Sequence, residues 1–198
     1  MTSVDVRERA LTLREVARRL DEAGVVWAVL AGAAASAYGA TRPITDVDIL
    51  VALSAGDRVA GLFPGAAIVR QEDGAVRSVK LPDIDLIAGL TMVEGEVAYT
   101  VDLDDEMAAR RTVHEIGSVM VPVIPPEDNM LLKAVWGRGP EQGKHDWEDV
   151  EAMMAHLPAI DWGYLRWRAA QCGPTPGVRR AVKRLREIAR RIGVQLEG

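Results

Sequence analysis

Three aspartates are the residues best placed to do chemistry. In Thr45-Asp46-Val47-Asp48-Ile49-Leu50-Val51, two carboxylates stand two positions apart among β-branched residues. Successive side chains of a strand point to opposite faces. A strand over Asp46–Leu53 therefore projects Asp46 and Asp48 together and turns Val47, Ile49 and Val51 toward a core. Neighbouring carboxylates repel, and withdrawing them from water without a cation raises the pKa of at least one. A divalent cation removes that cost. Mg²⁺ favours a few carboxylates with phosphate oxygens and retained water, so the pair reads as half of a metal–phosphate site. Asp85, an acid inside Ile84-Asp85-Leu86-Ile87, supplies a third carboxylate. It would hold a second ion and help deprotonate an attacking hydroxyl. Asp83 shares its face but follows Pro82, so Asp85 is preferred while Asp83 stays open.

Phosphates need close approach and positive charge. Gly32 stands where a strand meets a helix, and a backbone without a side chain there can approach phosphate oxygens. Arg42 and Thr45 lie just before the carboxylates, able to meet phosphate or to order the turn.

The elements that must carry these residues follow from periodicity. Val6, Ala10, Leu13, Ala17 and Leu20 predict an opening amphipathic helix ending near Gly24. Residues 25–30 read as a buried strand and 33–38 as a short helix stopped at Gly39. A hairpin is expected over 66–70 and 75–81 around Asp73-Gly74. Strands follow at 83–88, 97–101 and 119–124. After Pro125-Pro126 the pattern is helical: 128–136, a helix facing inward with Trp147, Val150, Met154 and Leu157, and a third capped by Asp161. Val178, Val182, Leu185, Ala189 and Ile192 line a fourth. The expectation is an α/β (α+β) protein, a mixed sheet flanked by helices over 1–124, followed by a C-terminal helical module over 125–198.

Composition narrows the classes. The 198 residues are 48% hydrophobic and 27% charged, and no apolar run is long enough to span a bilayer. The N-terminus holds Arg7, Glu8, Arg9, Arg14, Glu15 and Arg18 without an apolar core, unlike a secretory signal. The single Cys172 forms no internal disulfide, and a cytoplasmic location is expected. From Gly163 onward the chain carries +7, against −12 before it. That split points to an acidic catalytic part and a basic surface for an anionic partner. On this ground Lys183, Arg184 and Arg186 are candidate RNA-binding residues. Trp162, Tyr164 and Trp167 could stack on bases, although helix packing explains them as well.

A strand, a Gly-containing turn, a short helix, Gly39-Ala40-Thr41-Arg42 and then Thr45-Asp46-Val47-Asp48 resemble the DNA polymerase β-like nucleotidyltransferase superfamily. More narrowly, the chain is similar to AbiEii-type nucleotidyltransferases, toxins of type IV toxin–antitoxin pairs. That group carries Gly-Gly or Gly-Ser before the Asp-x-Asp; here Ala31-Gly32-Ala33 offers one glycine, with Ala33 in the second place. Further along, Ile124-Pro125-Pro126-Glu127-Asp128, Lys133, Arg138 and Lys144-His145-Asp146-Trp147-Glu148-Asp149 resemble the family's second motif. His145 is an insertion-like departure, so Lys144/Asp146 or Asp146/Asp149 is the match. The resemblance implies that Lys133 approaches the triphosphate of an NTP and that Asp146 and Asp149 belong to the site's far wall.

The leading expectation is thus Mg²⁺-dependent transfer of a nucleoside monophosphate from an NTP to an acceptor hydroxyl. The resemblance makes the 3′ end of tRNA the acceptor and a cognate antitoxin a possible partner. A small-molecule acceptor such as an aminoglycoside is the second reading, and an inactive binding protein or antitoxin is the third.

Overall fold

The computed structural model describes residues 6–94, 97–173 and 175–195, and side chains at 6–12, 93–94 and 97–99 are not described. The faces expected for Val6 and Ala10 and the charge at Glu197 lie outside that range. Two compact units make up the chain. One takes residues 1–33, 44–90 and 101–124; the other takes 34–43, 91–100 and the chain from Pro125 onward.

The first unit is built on a seven-stranded mixed sheet. Its strands are β1 (Trp27–Leu30), β2 (Val47–Val51), β3 (Ala67–Arg70), β4 (Val76–Lys80), β5 (Ile84–Ala88), β8 (Thr112–Ile116) and β9 (Val119–Val123). Their order across the sheet is β3-β4-β5-β2-β1-β9-β8. The β2/β5 and β1/β9 pairs are parallel and the others antiparallel. Leu90–Glu94 (β6) and Val97–Val101 (β7) form a separate two-stranded ribbon. All four residues of β1 are buried, and in β2 only Asp48 is not. A continuous apolar run is what a central strand covered on both faces requires. Helix α1 (Val6–Glu22) contacts β9, while α3 (Gly56–Leu62) contacts β4 and β5.

Several strands are shorter than their patterns suggest. Val25 and Val26 precede β1, and Val26 is exposed. The β3–β4 hairpin forms as expected. Gly74 takes φ +87° at its tip, and Asp73 accepts a hydrogen bond from the Ala75 N–H at 3.0 Å. Unanticipated are α3, α4 (Asp105–Ala109, capped by Asp104), β6 and β8.

In the second unit α5 (Pro126–Trp136) packs against α6 (Asp146–His156), α7 (Trp162–Gln171) and α8 (Pro176–Ile192). Eight successive residues of α5, Glu127 to Ala134, are buried. Pro126 starts this helix two residues earlier than periodicity suggests, since proline is preorganised for the first turn. Asp161 caps α7, accepting from the Tyr164 N–H at 2.8 Å, as expected. The buried face of α8 is Val178, Ala181, Leu185, Ile188 and Ala189, whereas Val182 and Ile192 are only half-buried. No helix among the described residues is long and apolar enough to cross a membrane.

Candidate active site

Asp48 and Asp85 are direct neighbours across the parallel β2–β5 pair. Adjacent strands stand about 4.8 Å apart, so the two half-buried carboxylates emerge side by side on one face. Asp46 does not lie in the strand as expected, because β2 begins at Val47. The ladder stops one residue short of it, at Val47, whose N–H donates to the Asp83 carbonyl at 2.9 Å. Asp46 is exposed, and its Oδ1 accepts from the Thr45 hydroxyl at 2.9 Å. Thr45 therefore orders Asp46. Asp83 precedes β5; Asp85 is the residue in register with Asp48.

Sequence reasoning missed Lys80. It is the antiparallel register partner of Asp85 on β4, and its Nζ lies 2.6 Å from Asp85 Oδ2. One row thus crosses the sheet as Lys80, Asp85, Asp48, Leu30. The signal was latent in the hairpin, whose return strand ends at Lys80, but register between strands is not readable from alternation alone.

Among the described residues, no three His, Cys, Asp or Glu side chains gather closely enough to hold a metal ion. Asp46 is turned to Thr45 and Asp85 to Lys80. The donor set that remains still suits Mg²⁺, which commonly takes one or two carboxylates and completes its shell with water and substrate phosphate.

Leu30, the partner of Asp48 on β1, leads into α2 (Ala31–Ala37) through an abrupt change of direction. Ala31 makes that turn in the left-handed region, with φ +58°. Glycine would adopt this conformation without steric cost; alanine bears about 1–2 kcal/mol. Strain of this kind commonly persists beside functional groups. Gly32 and Ala33 follow in the first turn, Gly32 half-buried and Ala33 buried.

Five further candidates meet in the second unit. Lys133 is 2% exposed, and its Nζ lies 2.7 Å from Asp149 Oδ2 and 3.3 Å from Asp146 Oδ1. Arg42 Nη2 donates to Asp149 Oδ2 at 3.2 Å. Arg138 donates to Asp146 Oδ2 through Nε at 2.8 Å and through its backbone N–H at 3.1 Å. Three cations thus enclose two buried carboxylates. Arg42 and Arg138 keep about a third of their side chains exposed, 36% and 32%. Lys144 is exposed and stands outside the cluster.

The basic C-terminal segment divides into distinct roles. Arg168 is buried, its Nε 2.8 Å from Asp128 Oδ1. Tyr164 donates to Asp128 Oδ2 at 2.5 Å; burial, reinforced by the Asp128 charge, raises the phenol's pKa. Trp162 is buried too, donating to the Gln195 carbonyl. Trp167 alone of the three aromatics is exposed. Arg184 lies over the Trp147 ring at 5.8 Å and 3.5 Å from Glu187. Arg179, Lys183, Arg186 and Arg190 recur at helical spacing and, with Glu187, Val178 and Val182, line a cavity of about 510 Å³.

No curated protein matches the chain. Among solved structures, ANT(2″)-Ia in complex with adenylyl-2″-tobramycin is 12% identical, with a TM-score of 0.52. That match covers 91% of this chain and 98% of the other. An antigenic nucleotidyltransferase-like protein from Paracoccidioides brasiliensis is 16% identical over 100% of this chain and 96% of its own, also at a TM-score of 0.52. At these identities the likeness is one of fold. Nucleotidyltransferases act on nucleoside triphosphates and generally use divalent metal ions. Residues 2–190 match the family described as "Uncharacterised nucleotidyltransferase", and the chain belongs to that family.

Proposed function

We propose that this chain transfers a nucleoside monophosphate from an NTP to an acceptor hydroxyl, with Mg²⁺ held by Asp46 and Asp48. The register pairing of Asp48 with Asp85 carries the reading. When bound, Mg²⁺ neutralises charge on the phosphate oxygens. Asp85 takes the proton of the acceptor hydroxyl as its oxygen bonds to the α-phosphorus. The bond from that phosphorus to the bridging oxygen breaks, and pyrophosphate leaves with the electron pair. Thr45 keeps Asp46 oriented. Gly32 and Ala33 border the strained turn beside the carboxylates and serve close phosphate approach. In the second unit, Arg42 and Arg138 keep exposed the guanidinium surface that the sequence reading assigns to nucleotide binding. Lys133, Asp146 and Asp149 hold those arginines, and exposed Lys144 adds a further cation.

For the acceptor, the stripe of Arg179, Lys183, Arg186 and Arg190 supports RNA. The 3′ end of tRNA and an AbiEii-type toxin role with a cognate antitoxin follow from the sequence resemblance, and a cytoplasmic location from the single Cys172. A small-molecule hydroxyl is the second reading, favoured by the nearly full-length likeness to a protein solved with adenylyl-2″-tobramycin. One experiment separates them: incubation with each α-labelled NTP, Mg²⁺, and either total tRNA or an aminoglycoside panel. Label in tRNA supports the first reading and label in the aminoglycosides the second. Label in neither, with all four NTPs, would remove both acceptors.

A further inference from the structure

We propose that Lys80 is a built-in counter-charge for Asp85, so that the acidic site takes one divalent ion, at Asp46 and Asp48, and uses the ammonium where a second ion would otherwise sit. The inference rests on reading Asp46 and Asp48 as metal ligands. Sheet pairing fixes Lys80 opposite Asp85, so its ammonium competes for that carboxylate at a local concentration no free ion matches. The 2.6 Å separation is that of a short charge-assisted contact, and it occupies Asp85 Oδ2. In the same structure no three acidic side chains converge among the described residues, and Asp85 is paired with the lysine. Charge also balances: three carboxylates match one divalent ion and one ammonium. Lys80 is then a positioning residue, holding Asp85 so that its other oxygen receives the acceptor proton.

The test uses the full chain without nucleotide and Mn²⁺ as the probe, with free Mn²⁺ followed by electron paramagnetic resonance. Wild type should bind one Mn²⁺ per chain. Lys80→Met frees Asp85 and should bind two, or one about fivefold tighter, as expected for removing a competing unit charge a few ångströms away. Lys80→Arg keeps the charge and should behave as wild type. The Lys80 side chain is 48% exposed, so both variants should fold, and matching circular dichroism and unfolding curves would verify this. Two ions in wild type, or an unchanged isotherm in Lys80→Met, would overturn the role given to Lys80. Asp48→Asn supplies the separate control and should lose Mn²⁺ binding in either background. Unchanged binding in that variant would instead overturn the metal pair itself.

Discussion

Asp48 on β2 and Asp85 on β5 are register partners, 37 positions apart in sequence and adjacent in the sheet. A one-residue slip of either strand would send its aspartate to the opposite face and bring an apolar neighbour, Ile49 or Leu86, out in its place. Burial of Val47, Ile49 and Val51 on β2 and of Ile84, Leu86 and Ala88 on β5 therefore sets the geometry of the acids. Core packing positions the two carboxylates.

The turn beside Asp48 should be strained in a measurable way. Ala31→Gly relieves a left-handed alanine, about 1–2 kcal/mol, and adds unfolded-chain freedom of about 0.5–1 kcal/mol. It should leave the protein up to about 1 kcal/mol more stable in urea unfolding. Ala31→Val should lower stability, since a branched side chain fits that conformation poorly. A glycine variant clearly less stable than wild type would show that the alanine is not strained.

Lys133 should behave as a structural ion. Lys133→Met leaves Asp146 and Asp149 buried with only the two arginines, and breaking such a cluster typically costs about 3–5 kcal/mol. Adding Asp149→Asn should recover part of that loss, because it removes one of the uncompensated carboxylates. The check is the urea midpoint at constant m. A single variant as stable as wild type contradicts this assignment.

What sequence alone reveals here depends on what each residue packs against. The strands that carry Asp48 and Asp85 and the hairpin at Asp73-Gly74 follow from alternation and turn chemistry, whereas Asp46 stands just before β2 rather than in it. Helix α3 does not: Gly-Asp-Arg-Val-Ala-Gly-Leu has two glycines and only Gly56 and Val59 buried. Gly56 is there for close approach, since a Cβ would stand 3.0 Å from the Val76 carbonyl and 3.1 Å from the Ala88 Cβ. Strand β8 is equally silent, an edge strand with only Ile116 buried, visible only through its ladder with β9. The resemblance assigns Lys133, Asp146 and Asp149 to a nucleotide site, but nothing in their spacing announces that they pair with one another beside a helix with eight successive buried residues. Lys80 needed the register of three strands.

The α8 stripe makes a prediction about salt. If RNA lies there, Lys183→Gln/Arg184→Gln/Arg186→Gln should weaken binding and flatten its salt dependence, by about 0.7 in log–log slope for each phosphate no longer neutralised. The effect should come mainly from Arg186, as Arg184 is already engaged with Glu187 and Trp147 and the Lys183 ammonium lies 4.0 Å from Glu187. NTP affinity should not move. The comparison is tRNA binding by wild type and variant between low and moderate salt. Equal slopes would leave the stripe as a solvated face or a surface for an acidic protein.

Asp48→Ala puts nucleotidyl transfer by the Asp46/Asp48 pair to its sharpest test. The measurement is transfer of label from α-labelled NTP to the acceptor in Mg²⁺, beside thermal unfolding of the same preparations. Transfer should be abolished while unfolding is unchanged or slightly delayed, because the change relieves repulsion between Asp48 and its neighbours. Turnover near wild type in a folded Asp48→Ala protein would contradict the role given to that pair.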